Sequence, residues 1–419
     1  MSILVINAGS SSVKFTCMNS GDFSVLASGS VERIGLTGTL FHHKRHGSEK
    51  ITEEVAVKNT SQAVTLITAS LCDAKAGVMR SLDEIIAIGH RVVHGGEKIT
   101  APVLIDRRVK SVIEEYFDIA PLHNPPNLEG IKACEEAFPG IPQVGVFDTA
   151  FHATMPPRAY LYAIPIEIYR NDRVRRYGFH GTSHKYVSYE VARYLNLNID
   201  SLKIISCHLG NGSSIAAVYK GRCIDTSMGF TPLEGVMMGT RCGDIDPAII
   251  FYLMERKGMT IAEVNEMLNK KSGMLGLADI GSSDLRDVEQ KIMGGHVQAK
   301  NAFEVFCYRI RKYIGAYIAA MGGVDIIVFT AGIGENSDMV RASVCCGMEG
   351  LGIALDTQKN AALNHSKGEI SKPESKVKIL IIPTNEELEI ARETMEVLNS
   401  RGISFIIEAN PKSKHVTKG

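Results

Sequence analysis

The sequence carries no charge excess of either sign: 46 Lys and Arg are matched by 46 Asp and Glu over 419 residues. That speaks against a nucleic-acid binder, which usually shows a basic surplus to meet phosphates. The only charge run is Lys412, Lys414 and Lys418, and it reads as a tail. No apolar stretch reaches the roughly 18 residues of a membrane span. The start, Met1-Ser2-Ile3-Leu4-Val5-Ile6, lacks the basic segment and long apolar run of a signal peptide. The nine cysteines contain no Cys-x-x-Cys, and the neighbours Cys345 and Cys346 suit no unstrained disulfide. Reduced thiols in a cytoplasm are therefore expected. A Walker A loop is missing, and no Gly-x-Gly-x-x-Gly follows the first strand, so a nicotinamide dehydrogenase has no fingerprint here.

What is present is an ordinary globular composition, 45% hydrophobic and 22% charged. The length predicts two or three domains. Strand-like runs alternate with helical ones, which predicts an α/β chain. Strands are expected at Ile3–Asn7, Val13–Met18, Ile85–Gly89, Gln143–Phe147, Lys203–Cys207, Ile215–Tyr219, Asp325–Thr330 and Val377–Ile382. Helical patterns cover Ser183–Leu195, Pro247–Lys257 and Val297–Met321. Thr260 to Glu263 and Thr384 to Glu387 each fit a capping box.

One similarity recurs two hundred residues apart. An apolar strand runs into Gly9-Ser10-Ser11-Ser12 and out into a second strand, and the same pattern surrounds Gly210-Asn211-Gly212-Ser213-Ser214. Two ordinary hairpins would give this pattern, and so would two related domains.

Glycines and cations mark the candidate chemistry. His208-Leu-Gly-Asn-Gly212 and Ala331-Gly-Ile-Gly-Glu335 are Gly-rich turns after apolar strands, where backbone amides can approach an anion. A helix is expected from Ser337. Arg91 and Arg241 lie among glycines, a setting that suits a guanidinium fork for carboxylate or phosphate. Asp148 ends an apolar strand, where open α/β sheets gather their sites. His180 and His184 have the i, i+4 spacing of a metal pair, but no third ligand accompanies them.

Taken together, these stretches resemble the acetate/propionate kinase family. The matching runs are Asn7-Ala-Gly-Ser-Ser-Ser-Val-Lys14, His90-Arg-Val-Val-His-Gly-Gly-Glu97, Ala120-Pro-Leu-His-Asn-Pro125 and Phe147-Asp-Thr-Ala-Phe-His152. They continue with Tyr177-Gly-Phe-His-Gly-Thr-Ser-His184, His208-Leu-Gly-Asn-Gly-Ser-Ser214 and Asp225-Thr-Ser-Met-Gly-Phe-Thr-Pro-Leu-Glu-Gly235. Gly239-Thr-Arg241, Phe329-Thr-Ala-Gly-Ile-Gly-Glu-Asn336 and Pro383-Thr-Asn-Glu-Glu387 complete the set.

The resemblance implies two duplicated actin-like, ribonuclease H-like domains around an ATP cleft. Residues 1–148 with the final helix 386–400 would form one domain, 149–385 the other, and 401–419 a tail. It implies a cytoplasmic homodimer, with Val297–Met321 and its neighbours as candidates for the dimer face. The implied activity is reversible transfer of phosphoryl from ATP to acetate, giving acetyl phosphate and ADP, with Mg²⁺ or alternatively Mn²⁺.

Residue by residue, it implies Asn7 and Glu386 at the metal and Arg91 at the acetate carboxylate. Val93, Leu122, Phe179 and Pro232 would surround the methyl group. Lys14, His208, Leu209, Gly210, Asn211, Gly212, Asp284, Leu285, Arg286, Ala331, Gly332, Ile333, Gly334 and Glu335 would bind nucleotide. His180 and Arg241 would stabilise the transition state, and Asp148 is the family's proton donor or acceptor. Acetate is already ionised at pH 7 and needs no base. We therefore expect Asp148 to orient an arginine or a metal-bound water, and transfer to be direct.

Two departures from the family pattern stand out. The run from Gly276 to Asp284 is one residue longer, and Cys242 replaces a more usual serine. Beside Arg241 its thiol is expected to have a lowered pKa and to react with alkylating agents. A propionate kinase is the nearest alternative, with a butyrate kinase further off. A non-catalytic ATP-binding scaffold is the alternative of another class, and it predicts loss of Arg91, Arg241 or Asp148, all of which are present.

Overall fold

The computed structural model describes residues 1–363 and 366–403. The lysines at 412, 414 and 418 lie outside the described residues.

Two sheets organise the chain. The first contains β1 (Ser2–Ala8), β2 (Ser12–Asn19), β3 (Val25–Glu32), β4 (Thr39–Arg45), β5 (Ile51–Val55), β6 (Ile85–Val92), β7 (Val103–Leu104) and β8 (Gln143–Phe147). Its order is β5-β4-β3-β2-β1-β6-β8-β7. The second contains β9 (Lys203–Leu209), β10 (Ser213–Tyr219), β11 (Arg222–Thr226), β12 (Ile326–Thr330), β13 (Gly368–Glu369) and β14 (Lys378–Ile381), in the order β11-β10-β9-β12-β14-β13.

The two orders repeat one plan. In the first sheet β3, β2 and β1 are antiparallel neighbours, and β6 and β8 follow in parallel. In the second, β11, β10 and β9 are antiparallel, and β12 and β14 follow in parallel. The two Gly/Ser hairpins occupy equivalent places, which settles the open reading of the repeat in favour of duplicated actin-like halves.

The parallel strands are apolar on both faces, as burial from two sides requires. Leu4 and Ile6 pack with Ala63, Val64 and Ile67 on one face of the first sheet. Ile3 and Val5 pack with Ile390, Ala391 and Leu398 of helix Glu386–Ser400 on the other. The second sheet is likewise covered, by the long helix Val297–Met321 on one side and helix Gly181–Leu195 on the other. Among the described residues no helix is long and apolar enough to cross a membrane.

Two local expectations need correction. The last helix is capped by Asn385, whose side chain accepts from the Leu388 amide, so Thr384 forms no capping box. The capping box at Thr260 and Glu263 is formed. Ala331–Asn336 is a short helix rather than a turn. The Arg341 guanidinium holds its end by donating to the carbonyls of Gly334 and Glu335. Ser337 then caps the expected next helix, Asp338–Cys345.

Candidate active site

The parallel strands deliver side chains to one end of the first sheet. Arg91 lies near the end of β6, and Asp148 directly follows β8. Asp148 also ties the two halves together through its backbone. Its amide donates to the Val92 carbonyl at 2.9 Å, and its carbonyl accepts from the Gly181 amide at 3.0 Å. Residue 181 must be glycine, because a Cβ there would collide with that Asp148 oxygen. His180 precedes it with φ of 56°, a strained left-handed backbone for a non-glycine residue.

Arg91 donates from Nε (3.2 Å) and Nη2 (2.7 Å) to the two oxygens of Asp148. Its Nε also lies 3.7 Å from Glu386 Oε2. Burial opposes the Arg91 charge, but these two carboxylates outweigh it and move its pKa up. Asp148 thus holds an arginine, one of the two roles expected for it. The Nη1 edge makes no bond among the described residues, which leaves half the fork for a second carboxylate.

Arg241 differs. Its Nη1 donates to the Pro232 carbonyl at 3.3 Å and lies 3.7 Å from Met238 Sδ. Among the described residues no carboxylate pairs with it, and burial lowers its pKa. An arginine held in a partly buried place without an acid is prepared for an anion from outside. A Cβ at Gly212 would sit 3.4 Å from Arg241 Nη1 and from His180 Nε2, so the glycine keeps the space beside both groups open.

His180 stacks on His208, with ring centroids 4.2 Å apart. Burial, then His208 and Arg91, push the His180 pKa well below its usual value. Burial and Arg91 lower His208 to about 4. Both rings are neutral near pH 7. The spacing of His180 and His184 serves hydrogen bonds: both His184 nitrogens are engaged, with Ser206 and Ser214. Among the described residues no group of three or more His, Cys, Asp or Glu side chains could hold a metal.

Asn7 and Glu386 fit a hard cation that keeps most of its waters, since they offer one amide oxygen and one carboxylate. Asn7 lies in β1 one residue beyond Ile6–His90, the last pair with β6. Burial raises the Glu386 pKa against the pull of Arg91, so this carboxylate is short of positive charge. Lys14 is exposed and paired across the hairpin with Asn7.

The nucleotide segments come together in part. Thr330 pairs with His208 across β12 and β9, and Gly210 lies against Ala331. Asn211, Gly332 and Gly334 belong to that same turn and short helix, whereas Leu209 is a core residue and Ile333 packs against the core. Glu335 Oε1 accepts from the Thr384 amide at 3.1 Å. Asp284 caps its helix and binds Arg286, which is 88% exposed on its side chain, while Leu285 joins the core. No hydrogen bond links Asp284 or Arg286 to the glycine turns among the described residues.

Of the four residues expected around the methyl group, two share a buried apolar cluster. Val93 and Phe179 pack with Met228 and Met238. Leu122 is 64% exposed on the turn before helix Asn124–Ala137 and does not join them. Pro232 contributes its carbonyl to Arg241. Met228 sits inside the Asp225–Gly235 motif and Met238 directly precedes Gly239-Thr-Arg241, yet methionine there gives no pattern of its own. His123 was also missed. Burial lowers its pKa, and Arg241 and Arg91 are close enough to lower it further.

Cys242 does not behave as expected. Burial raises its pKa, Asp244 adds to this, and its thiol donates to the Gly243 carbonyl at 3.1 Å. Among the described cysteines only Cys346 is exposed. Iodoacetamide at neutral pH should therefore label Cys346 first and leave activity intact at one label per chain, as peptide mapping will check. Inactivation that tracks Cys242 labelling would contradict this.

A family model described as the acetokinase family matches residues 2–392. The chain belongs to this family. It is 54% identical over 398 residues to an acetate kinase of Carboxydothermus hydrogenoformans, covering 95% of this chain and 99% of that protein. The structure matches a Porphyromonas gingivalis acetate kinase with a TM-score of 0.92 at 48% identity, covering 95% of this chain and 99% of the other. A Francisella tularensis propionate kinase matches with a TM-score of 0.88 at 42% identity, over 94% and 99%. This acetokinase thus has both acetate and propionate kinases among its relatives.

Proposed function

We propose that this acetokinase transfers a phosphoryl group from ATP to acetate, reversibly, to give acetyl phosphate and ADP. The observation that carries the reading is the pairing of two unlike arginines. Arg91 is fixed by Asp148 with part of its fork free for a carboxylate, and Arg241 stands without an acid beside His180 at Gly212. Phosphoryl transfer needs positioning and neutralisation more than covalent chemistry.

Arg91 binds acetate, and Val93, Phe179, Met228 and Met238 enclose its methyl. Arg241 and His180 face the oxygens of the group in flight. Asp148 acts by holding Arg91 in place and removes no proton. Lys14, the His208–Gly212 turn and Ala331–Glu335 hold the nucleotide. Asn7 and Glu386 would hold Mg²⁺, which when bound neutralises phosphate charge. Residues 1–148 with 386–400 form one domain and 149–385 the other, and their closure excludes water. A second copy of the chain covers helices Ala248–Lys257 and Val297–Met321, which leave Phe251, Tyr252 and Tyr308 exposed.

Trapping the acyl phosphate as hydroxamate tests the reading, with Mg-ATP and acetate, propionate or butyrate in parallel. One methylene is worth about 1–3 kcal/mol in such a pocket. The expected kcat/KM is highest for acetate and about tenfold lower for propionate. A propionate preference would move the natural substrate one carbon up. No acyl phosphate from any acid would overturn the reading.

A further inference from the structure

Behind His180 lies a chain of side chains that no transfer step uses. His180 Nδ1 is 2.9 Å from Ser214 Oγ. The same oxygen is 2.7 Å from His184 Nε2. His184 Nδ1 is in turn 2.9 Å from Ser206 Oγ. Ser214, His184 and Ser206 are fully buried. Among the described residues neither Ser206 Oγ nor Ser214 Oγ has a further hydrogen-bond partner. The far nitrogen of His180, Nε2, has none either, and it faces the space at Gly212 that Arg241 Nη1 also approaches.

Each serine hydroxyl has one proton, and each neutral imidazole has one. That limits the arrangements. If His180 carried its proton on Nδ1, it would donate to Ser214. Ser214 would then donate to His184 Nε2, and His184 Nδ1–H to Ser206. The Ser206 proton would be left in a dry interior with no acceptor. If both histidines donated to Ser214, the Ser214 proton would be the orphan. A buried unsatisfied donor costs about 1–3 kcal/mol. Only the opposite direction strands no proton in the dry interior, because the one proton left without a partner, on His180 Nε2, faces the space at Gly212. Ser206 donates to His184 Nδ1, His184 Nε2–H to Ser214, and Ser214 to His180 Nδ1.

We propose that Ser206, His184 and Ser214 are positioning residues that fix His180 as the tautomer with its proton on Nε2, presented as a ready donor to the transferring phosphoryl oxygens. A hydroxyl that donates on one side and accepts on the other transmits the choice over two side chains. The stacked ring of His208 has a weaker setting. Its Nδ1 meets Ser183 Oγ at 2.7 Å, and Ser183 meets Thr384 Oγ1 at 2.8 Å. Thr384 is only partly buried, so water can serve its proton and the direction of that chain is not forced.

The proposal rests on the transfer reading for its purpose but not for its test. Ring ¹⁵N–¹H correlation spectra of the histidine-labelled enzyme at pH 7.5, assigned with His180→Gln, read the tautomer directly. The expected result is a proton on Nε2 of both His180 and His184. A proton on Nδ1 of His180, or a doubly protonated ring, would overturn the proposal even in a fully active enzyme. Should acyl phosphate fail to form while His180 shows Nε2–H, the transfer reading falls and the tautomer assignment stands.

Ser214→Ala adds a kinetic readout. Loss of the hydrogen bond should lower kcat about tenfold, the worth of one such bond. KM for acetate and ATP should stay within about twofold, and the His180 ring signals should shift or broaden. A Ser214→Ala enzyme that folds, with kcat and His180 signals unchanged, would refute the positioning role. Should that variant not fold, the spectrum of the unmodified enzyme decides alone.

Discussion

Arg241→Ala should lower kcat by about 10³-fold or more, the scale on which a single arginine stabilises phosphoryl-transfer transition states, and should leave the fold intact. The second half of that expectation comes from its surroundings. Arg241 has no carboxylate partner among the described residues, and burial already disfavours its charge. Removing it strands no acid. Arg91→Ala should behave differently. It leaves Asp148, only 2% exposed, and Glu386 without their cation. Breaking a buried pair from one side costs about 3–5 kcal/mol. One variant should thus lose rate alone, and the other should lose rate and melting temperature together. Arg241→Lys should recover little, because a point charge cannot replace a planar fork. Steady-state kinetics beside calorimetric melting checks all three. An Arg241→Ala enzyme within tenfold of the parent rate would remove Arg241 from the transfer.

Mild acid should unfold the protein. Eight histidines, at positions 43, 90, 94, 123, 152, 180, 184 and 208, have lowered pKa values, in each case first through burial. His90, His152 and His208 fall to about 4 and His94 to about 3. The unfolded chain takes up these protons near pH 6.5, and the native state resists until much lower. The stability from neutral burial is therefore complete above pH 6.5 and lost as pH falls toward 4. Four carboxyls act in the opposite sense: Asp225, Glu289, Glu386 and Glu393, the last pushed up to about 7 by burial. The histidines outnumber these carboxyls, so the balance in mild acid is a loss of stability as pH falls below about 6.5. Total stabilities are only about 5–15 kcal/mol, so such a loss should unfold the protein well above the pH at which most proteins denature in acid. Melting followed by calorimetry from pH 7.5 to 4.5 should show a steep fall below pH 6. A flat profile between pH 6.5 and 5 would show that these rings are not held neutral.

The sequence made the centre of each half legible and the margins less so. β1 with β2, and β9 with β10, are apolar runs around Gly/Ser turns, and both signals are local. β3, β4 and β5 were not anticipated, because an antiparallel margin half open to water carries segments such as Thr39-Leu-Phe-His-His-Lys-Arg45 with no clean apolar run. Thr384 looked like a cap, but the neighbouring Asn385 side chain reaches the Leu388 amide instead. The glycines of Ala331–Glu335 suggested a turn, whereas contacts from Arg341, ten residues on, help hold a helix there.

At the site, Arg91, Asp148, His180 and Arg241 stand out because glycines and strand ends surround them. The groups that set their behaviour do not. Whether an arginine has an acid partner, as Arg91 does and Arg241 does not, depends on residues 57 or more positions away. The lowered pKa expected for Cys242 is not found, for the same reason, since burial, which the sequence does not show, raises it first, and Asp244 adds to this. Ser206 and Ser214 gave no functional signal, because their meaning depends on the β9–β10 register and the helix packed above it.

The central claim is a single in-line transfer between two anions that Arg91 and Arg241 hold in place, with no side chain accepting the phosphoryl group. Stereochemistry at phosphorus tests it most directly. With ATP made chiral at the γ-phosphorus by oxygen isotopes, one displacement gives acetyl phosphate of inverted configuration, and inversion is the expected result. Retention would require two displacements through a phosphorylated enzyme, and would contradict the roles assigned to both arginines and to Asp148.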